Sequence, residues 1–134
     1  LKNIGSLSIV RVKDEPDIVS LPNDLTTKTI YISDHKIKKL PTNLTCPKIE
    51  LYDCHELVTI PAVNNLKTLY VMDCEKLKNI PAGIENLYLE FCPNITTIPP
   101  GVYKELVLTD TRIRTLPKGV TVKGRRGARI TPMD

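Results

Sequence analysis

The sequence predicts a solenoid, a chain wound into short stacked turns, and three observations predict it. An apolar residue followed by Pro recurs at Leu21-Pro22, Leu40-Pro41, Ile60-Pro61, Ile80-Pro81, Ile98-Pro99 and Leu116-Pro117, at intervals of 19, 20, 20, 18 and 18 residues. Self-similarity at that period marks repeats that stack. The stretch Leu69 to Pro81 (L-Y-V-M-D-C-E-K-L-K-N-I-P) lies over Ile49 to Pro61 without a gap, and over Leu87 to Pro99 with loss of the Asp. One residue shorter, the frame returns at Ile30 to Pro41 and Leu106 to Pro117, and a weaker copy opens at Val10 to Pro22. Finally, 134 residues with 41% hydrophobic content are one domain's worth of chain with enough apolar material for a core.

Each element of one turn follows from its residues. In Leu69-Tyr70-Val71 apolar residues flank an amphipathic one, the period of a short strand with one face buried. Cys74, Leu77 and Ile80 are spaced to keep returning a side chain inward while the backbone bends. Pro81 then forbids ladder pairing and helix continuation at its own nitrogen. Too few residues remain before the next strand for a helix of the usual ~11 residues, so the outer side is expected to be extended or single 3₁₀ turns. No turn can bury its apolar residues alone, so the strands should stack ~4.8 Å apart as one parallel sheet over a shared core.

At the N-terminus, Ile4 and Leu7 read as the end of a preceding turn, before a first strand at Val10-Arg11-Val12. The chain starts at Leu1 without a visible capping helix, as expected of a processed chain or a piece of a longer one. Asp14-Glu15-Pro16-Asp17 reads as a solvated acidic loop. Past Pro117, Val120-Thr121-Val122 alternates like a last strand, and residues 123–134 lose the frame as a basic tail. Residues 118–134 are thus expected to be a closing segment behind about six repeats of 18–20 residues in a single domain over 1–134.

This frame resembles the leucine-rich repeats, L-x-x-L-x-L-x-x-(N/C)-x-L, across nearly the whole chain. The resemblance implies short parallel strands on the concave face and extended or 3₁₀ segments, without long helices, on the convex face. The turn length and terminal Leu-Pro are most similar to the short repeats of bacterial effectors secreted by the type III system. Those proteins usually carry a doubled Pro and a ladder Asn, where this chain has one Pro and mostly Cys. The Cys54, Cys74 and Cys92 turns also look like repeats of plant intracellular immune receptors, which run longer. By resemblance, the chain would recognise a target protein in the cytosol of a host cell. The alternatives are the substrate-recognition domain of a larger effector enzyme such as a ubiquitin ligase, or a repeat segment of a plant-type receptor.

Net charge is +4 with 25% charged residues, and no basic patch is interleaved with aromatics, so nucleic acid is not expected. Nothing approaches the ~20 apolar residues of a membrane span. Catalysis has little to stand on: His35 and His55 lack a neighbouring nucleophile apart from Cys54, whose side chain should diverge from His55, and the six glycines are scattered. No enzyme, no cofactor and no metal are therefore expected. Cys54, Cys74 and Cys92 share one slot, filled elsewhere by Glu15, His35 and Thr111. A buried thiol donating weakly to loop backbone suits that slot. A zinc site would need converging ligands, and a disulfide would need thiols that face each other rather than sharing a direction. Cys46, before Pro47, is expected on the outside. Unpaired thiols suggest a reducing, cytosolic compartment.

The outward positions of the strands carry the candidate site. The middle residues of the apolar triplets are Arg11, Tyr31, Glu50, Tyr70, Tyr88 and Val107, followed two places on by Lys13, Ser33, Tyr52, Met72, Glu90 and Thr109. Four of the five tyrosines thus share one face. Tyr supplies amphipathic contact area at low entropy cost and is enriched in hot spots, although it also tolerates any half-wet strand position. The candidate partner-binding residues are Tyr31, Glu50, Tyr52, Tyr70, Met72, Tyr88 and Glu90, bordered by Asp53 and Asp73. The Asp row (Asp14, Asp34, Asp53, Asp73, Asp110) is expected to serve the bend after each strand through carboxylates that accept backbone N–H groups, ahead of holding calcium or a basic ligand. Lysines 28, 36, 38, 39, 67, 76 and 78 are expected on a solvated back.

Overall fold

The computed structural model describes residues 2–10, 14 and 16–134, the side chains of residues 2–4 excepted. Eleven short strands run through it. They are β1 (Lys2–Ile4), β2 (Leu7–Val10), β3 (Leu25–Thr27), β4 (Thr29–Ser33), β5 (Lys48–Tyr52), β6 (Thr68–Met72), β7 (Asn86–Glu90), β8 (Gly101–Tyr103), β9 (Glu105–Thr109), β10 (Val120–Val122) and β11 (Ala128–Thr131). There is no helix among the described residues, and so none long and apolar enough to cross a membrane. Seven strands form one parallel sheet in the order β11-β9-β7-β6-β5-β4-β2, enclosing about six turns of a parallel β-solenoid.

Registration is strict from β4 to β9. Ile30, Ile49, Leu69, Leu87 and Leu106 stand side by side, as do Ile32, Leu51, Val71, Leu89 and Leu108, and all ten are buried. A one-residue slip would turn both rows into water, so the alternation itself fixes the register. Behind the sheet, Leu57, Leu77 and Ile95 form another continuous row, followed by Ile60, Ile80 and Ile98. The core is one column shared by all turns, as stacking requires.

Two further parallel ladders, which the sequence did not reveal, help close the turns. On one side β1 pairs with β3, and single bridges carry the line through Thr26, Thr45 and Asn64. Near the other end β8 pairs with β10, and between the Pro-terminated segments Thr59 bridges Asn79. The outer segments are extended because their backbone groups also bond the next turn: Thr45 N–H donates to Leu25 O at 2.9 Å and Asn64 N–H to Leu44 O at 2.8 Å.

Both ends differ from the expected frame. The first strand of the main sheet is Leu7–Val10, with Leu7 opposite Ile30 and Ile9 opposite Ile32. Val10, expected to open the triplet inward, is 53% exposed, while Ile9 is buried. Turning Leu7 and Ile9 inward, the first half-buried and the second buried, satisfies the alternation three residues earlier than the Leu21-Pro22 anchor suggested. Arg11, Val12, Lys13 and Glu15 lie outside the described residues. At the other end, Val120–Val122 joins β8 rather than the main sheet. The supposed tail supplies β11, whose Ala128 and Ile130 pack on the core opposite Leu106 and Leu108.

Candidate functional site

The bend after each strand positions everything on the strand face. Asp34, Asp53, Asp73, Phe91 and Asp110 occupy it with φ between 50° and 58°. Asp visits this left-handed region more readily than most residues. Their backbone N–H groups extend the ladder one residue past the strand: Asp34 to Tyr52 O (2.9 Å), Asp53 to Met72 O (3.0 Å), Asp73 to Glu90 O (2.9 Å) and Asp110 to Thr131 O (2.7 Å). The aspartates therefore serve the bend, but by conformation rather than by the expected carboxylate caps. Asp14, at φ 69°, is left-handed as well.

Directly after the bend, the shared slot turns inward. Cys54, Cys74, Cys92, His35 and Thr111 are all buried there. Cys54 Sγ donates to Tyr52 O, Cys74 Sγ to Met72 O and Cys92 Sγ to Glu90 O, each at 3.6 Å. His35 Nδ1 accepts from Ile18 N–H at 3.1 Å, and Thr111 Oγ1 accepts from Ile113 N–H at 3.2 Å. The neighbouring Cys54 and Cys74 thiols influence one another, the first being lowered and the second raised, and burial adds to the rise at Cys74. Burial pushes the Cys92 thiol up to about 11. The raised Cys74 and Cys92 thiols stay protonated at neutral pH, as suits buried side chains that pack and donate to backbone. Cys46, expected outside, is fully buried, and its Sγ donates to Lys48 O at 3.0 Å. The carbonyl of Lys48 offers the small thiol an inward partner that an outward position would lack. His55 points outward as expected and meets Glu75 at 2.8 Å.

The outward rows fall where the alternation puts them. Tyr31, Glu50, Tyr70, Tyr88 and Val107 stand in cross-strand register, as do Ser33, Tyr52, Met72, Glu90 and Thr109. Tyr31 and Tyr52 lie diagonally with ring centroids 5.1 Å apart and planes tilted by 39°, whereas Tyr70 and Tyr88 stack at 4.4 Å and 16°. Such pairs contribute ~0.5–1.5 kcal/mol beyond the area they cover. The Tyr52 hydroxyl donates to Glu50 Oε1 at 2.8 Å. Burial, followed by this bond, pushes the Tyr52 phenol well above its ordinary range. Tyr88 is raised by burial and by the neighbouring Glu105 carboxylate. Asp53 and Asp73 form the half-buried rim. Between Tyr70, Met72, Tyr88, Glu90, Val107 and Thr109 lies a shallow hollow of about 80 Å³. The fifth tyrosine, Tyr103, is buried and donates to Pro99 O at 2.7 Å.

Sequence reasoning missed the ends of these rows. Ser8 and Val10 extend them beside β4, and Arg129 and Thr131 beside β9. Arg129 Nη2 pairs with Glu105 Oε1 at 3.2 Å, at the edge of the face. The alternation Ala128-Arg129-Ile130-Thr131 was a usable signal, hidden by a last turn that takes 22 residues from Leu106 to Ala128. Among the described residues no cluster of His, Cys, Asp and Glu is placed to hold a metal ion. Lysines 28, 36, 38, 39, 67, 76 and 78 are all exposed away from the two outward rows.

Comparisons with protein-family models, with curated proteins and with solved structures find no match to this chain. Its class rests on its own geometry: a parallel β-solenoid of about six turns, without helices among the described residues, presenting one strand face lined by tyrosines and carboxylates.

Proposed function

We propose that the chain is a protein-binding module of the leucine-rich-repeat type, whose strand face, concave in that arrangement, docks a protein partner. In this reading it is the target-recognition domain of a bacterial effector acting in a host cytosol. The observation that carries the docking reading is the tyrosine quartet in two adjacent rows, paired as Tyr31 with Tyr52 and Tyr70 with Tyr88. Rings already held against each other lose little freedom on docking, which lowers the entropic cost of association. The repeat frame, its Leu-Pro ends and the extended outer segments support the short-repeat effector type. Four free thiols support a reducing compartment. The ladder of Cys54, Cys74 and Cys92, donating to strand carbonyls, favours the plant-receptor reading as the second choice.

The experiment is affinity capture from eukaryotic cytosol by the intact chain beside a Tyr31→Ala, Tyr70→Ala, Tyr88→Ala variant, both shown to be folded by circular dichroism. A partner captured by the first and lost by the second is the expected result. Equal capture by both would move the binding surface elsewhere.

A further inference from the structure

The strand face carries a charge opposite to that of the chain. Glu50, Glu90, Glu105 and the four bend aspartates set seven carboxylates on or beside it, while the whole chain is +4. Among the described residues, the two cations on the main-sheet strands are already engaged: Lys48 lies 3.9 Å from Glu50, and Arg129 pairs with Glu105 at 3.2 Å. Glu50 is further held by the Tyr52 hydroxyl. Among the described residues Glu90, Asp53 and Asp73 pair with no cation. Glu90 stands at the rim of the hollow whose wall is the stacked Tyr70 and Tyr88 pair.

We propose that this hollow receives an arginine side chain from a basic segment of the partner, an assignment that rests on the docking reading above. The aliphatic stem lies against Met72 and Val107, and the guanidinium meets the tyrosine rings and the Glu90 carboxylate. Three features favour this occupant. A cation over a tyrosine face is attracted by the ring, and more strongly when partly desolvated. A planar guanidinium both stacks and forms a forked bond to a carboxylate, which a lysine ammonium does not. The surrounding carboxylates attract basic chains and repel phosphate-bearing ones before contact.

The test is fluorescence anisotropy with a short fluorescein-labelled peptide alternating Gly and Arg, beside Gly-Lys and Gly-Glu counterparts. The arginine peptide is expected to bind the intact chain, more weakly as salt rises, with the lysine peptide weaker and the acidic one not binding. Glu90→Gln and, separately, Tyr70→Ala should each weaken it about tenfold. Glu75→Gln should leave binding unchanged, because it removes the same charge from a residue that faces His55 and not the hollow. No binding by the arginine peptide, or an equal loss in Glu75→Gln and Glu90→Gln, overturns the proposal. If a cytosolic partner is captured through the tyrosines while the arginine peptide fails, the docking reading stands and the arginine assignment falls. If the peptide binds through Glu90 while no partner is captured, the site stands and the effector reading falls.

Discussion

Phe91 stands in the bend where the turns on either side have Asp73 and Asp110, and it holds the same left-handed backbone at φ 50° while the residue is 37% exposed. Most residues other than Gly, Asn and Asp find that region costly by ~1–2 kcal/mol. Phe91→Asn is therefore expected to stabilise the fold by about 0.5–1 kcal/mol, and Asp73→Val to destabilise it by about 1–2 kcal/mol, both read from urea midpoints. The thiols give a second prediction at this scale. The Cys92 thiol is raised by burial from 9.0 to about 11. The unfolded chain therefore loses that proton first, so the contribution is fully present below pH 9 and is lost as pH rises towards about 11. Stability should fall across that window, and the fall should be smaller in Cys92→Ala, as urea denaturation at stepped pH would show. At this scale the sequence was most legible where one physical rule decided, as in the inward thiols and outward tyrosines. It was misread at Cys46, whose inward turn depends on a carbonyl from Lys48 that no spacing announces.

Among the strands of the main sheet, β11 is the one the repeat frame concealed, and a glycine explains how the chain reaches it. A Cβ on Gly124 would sit 1.7 Å from the Lys104 carbonyl oxygen, so the backbone passes where no side chain fits. Gly124→Ala is expected to cost about 3 kcal/mol and to act locally, releasing β11 from β9. Hydrogen exchange should then show lost protection at Ala128–Thr131 with β5 and β6 unchanged. Equal loss throughout would mean that the last turn is not a separate unit. The internal strands were legible because two buried rows repeat without interruption. At the N-terminal end, Leu7-Ser8-Ile9 and Val10-Arg11-Val12 are consecutive triplets of the same pattern, and only stacking against Ile30 and Ile32 selects the first. The second ladders were not legible at all, since single bridges such as Thr45 to Asn64 leave no periodic pattern.

For the whole molecule, stability is a sum over turns and the interfaces between them, because the core is one column that each turn extends. Removing residues 62–81, one whole period from Pro61 to Pro81, joins equivalent positions and keeps every remaining turn in register. The shortened chain is expected to fold with the same strand-rich circular dichroism and a lower urea midpoint. Loss of folding would contradict the modular account. The same architecture makes the strand face a platform, since its two rows stay aligned from β4 to β9 and bring residues far apart in sequence into one surface. The central claim, that this face docks a partner, is tested most directly by fluorine NMR on chain labelled with 3-fluorotyrosine, titrated with the captured partner. Tyr31, Tyr52, Tyr70 and Tyr88 should shift or broaden while buried Tyr103 stays in place; a bound partner that leaves all four unmoved would contradict it.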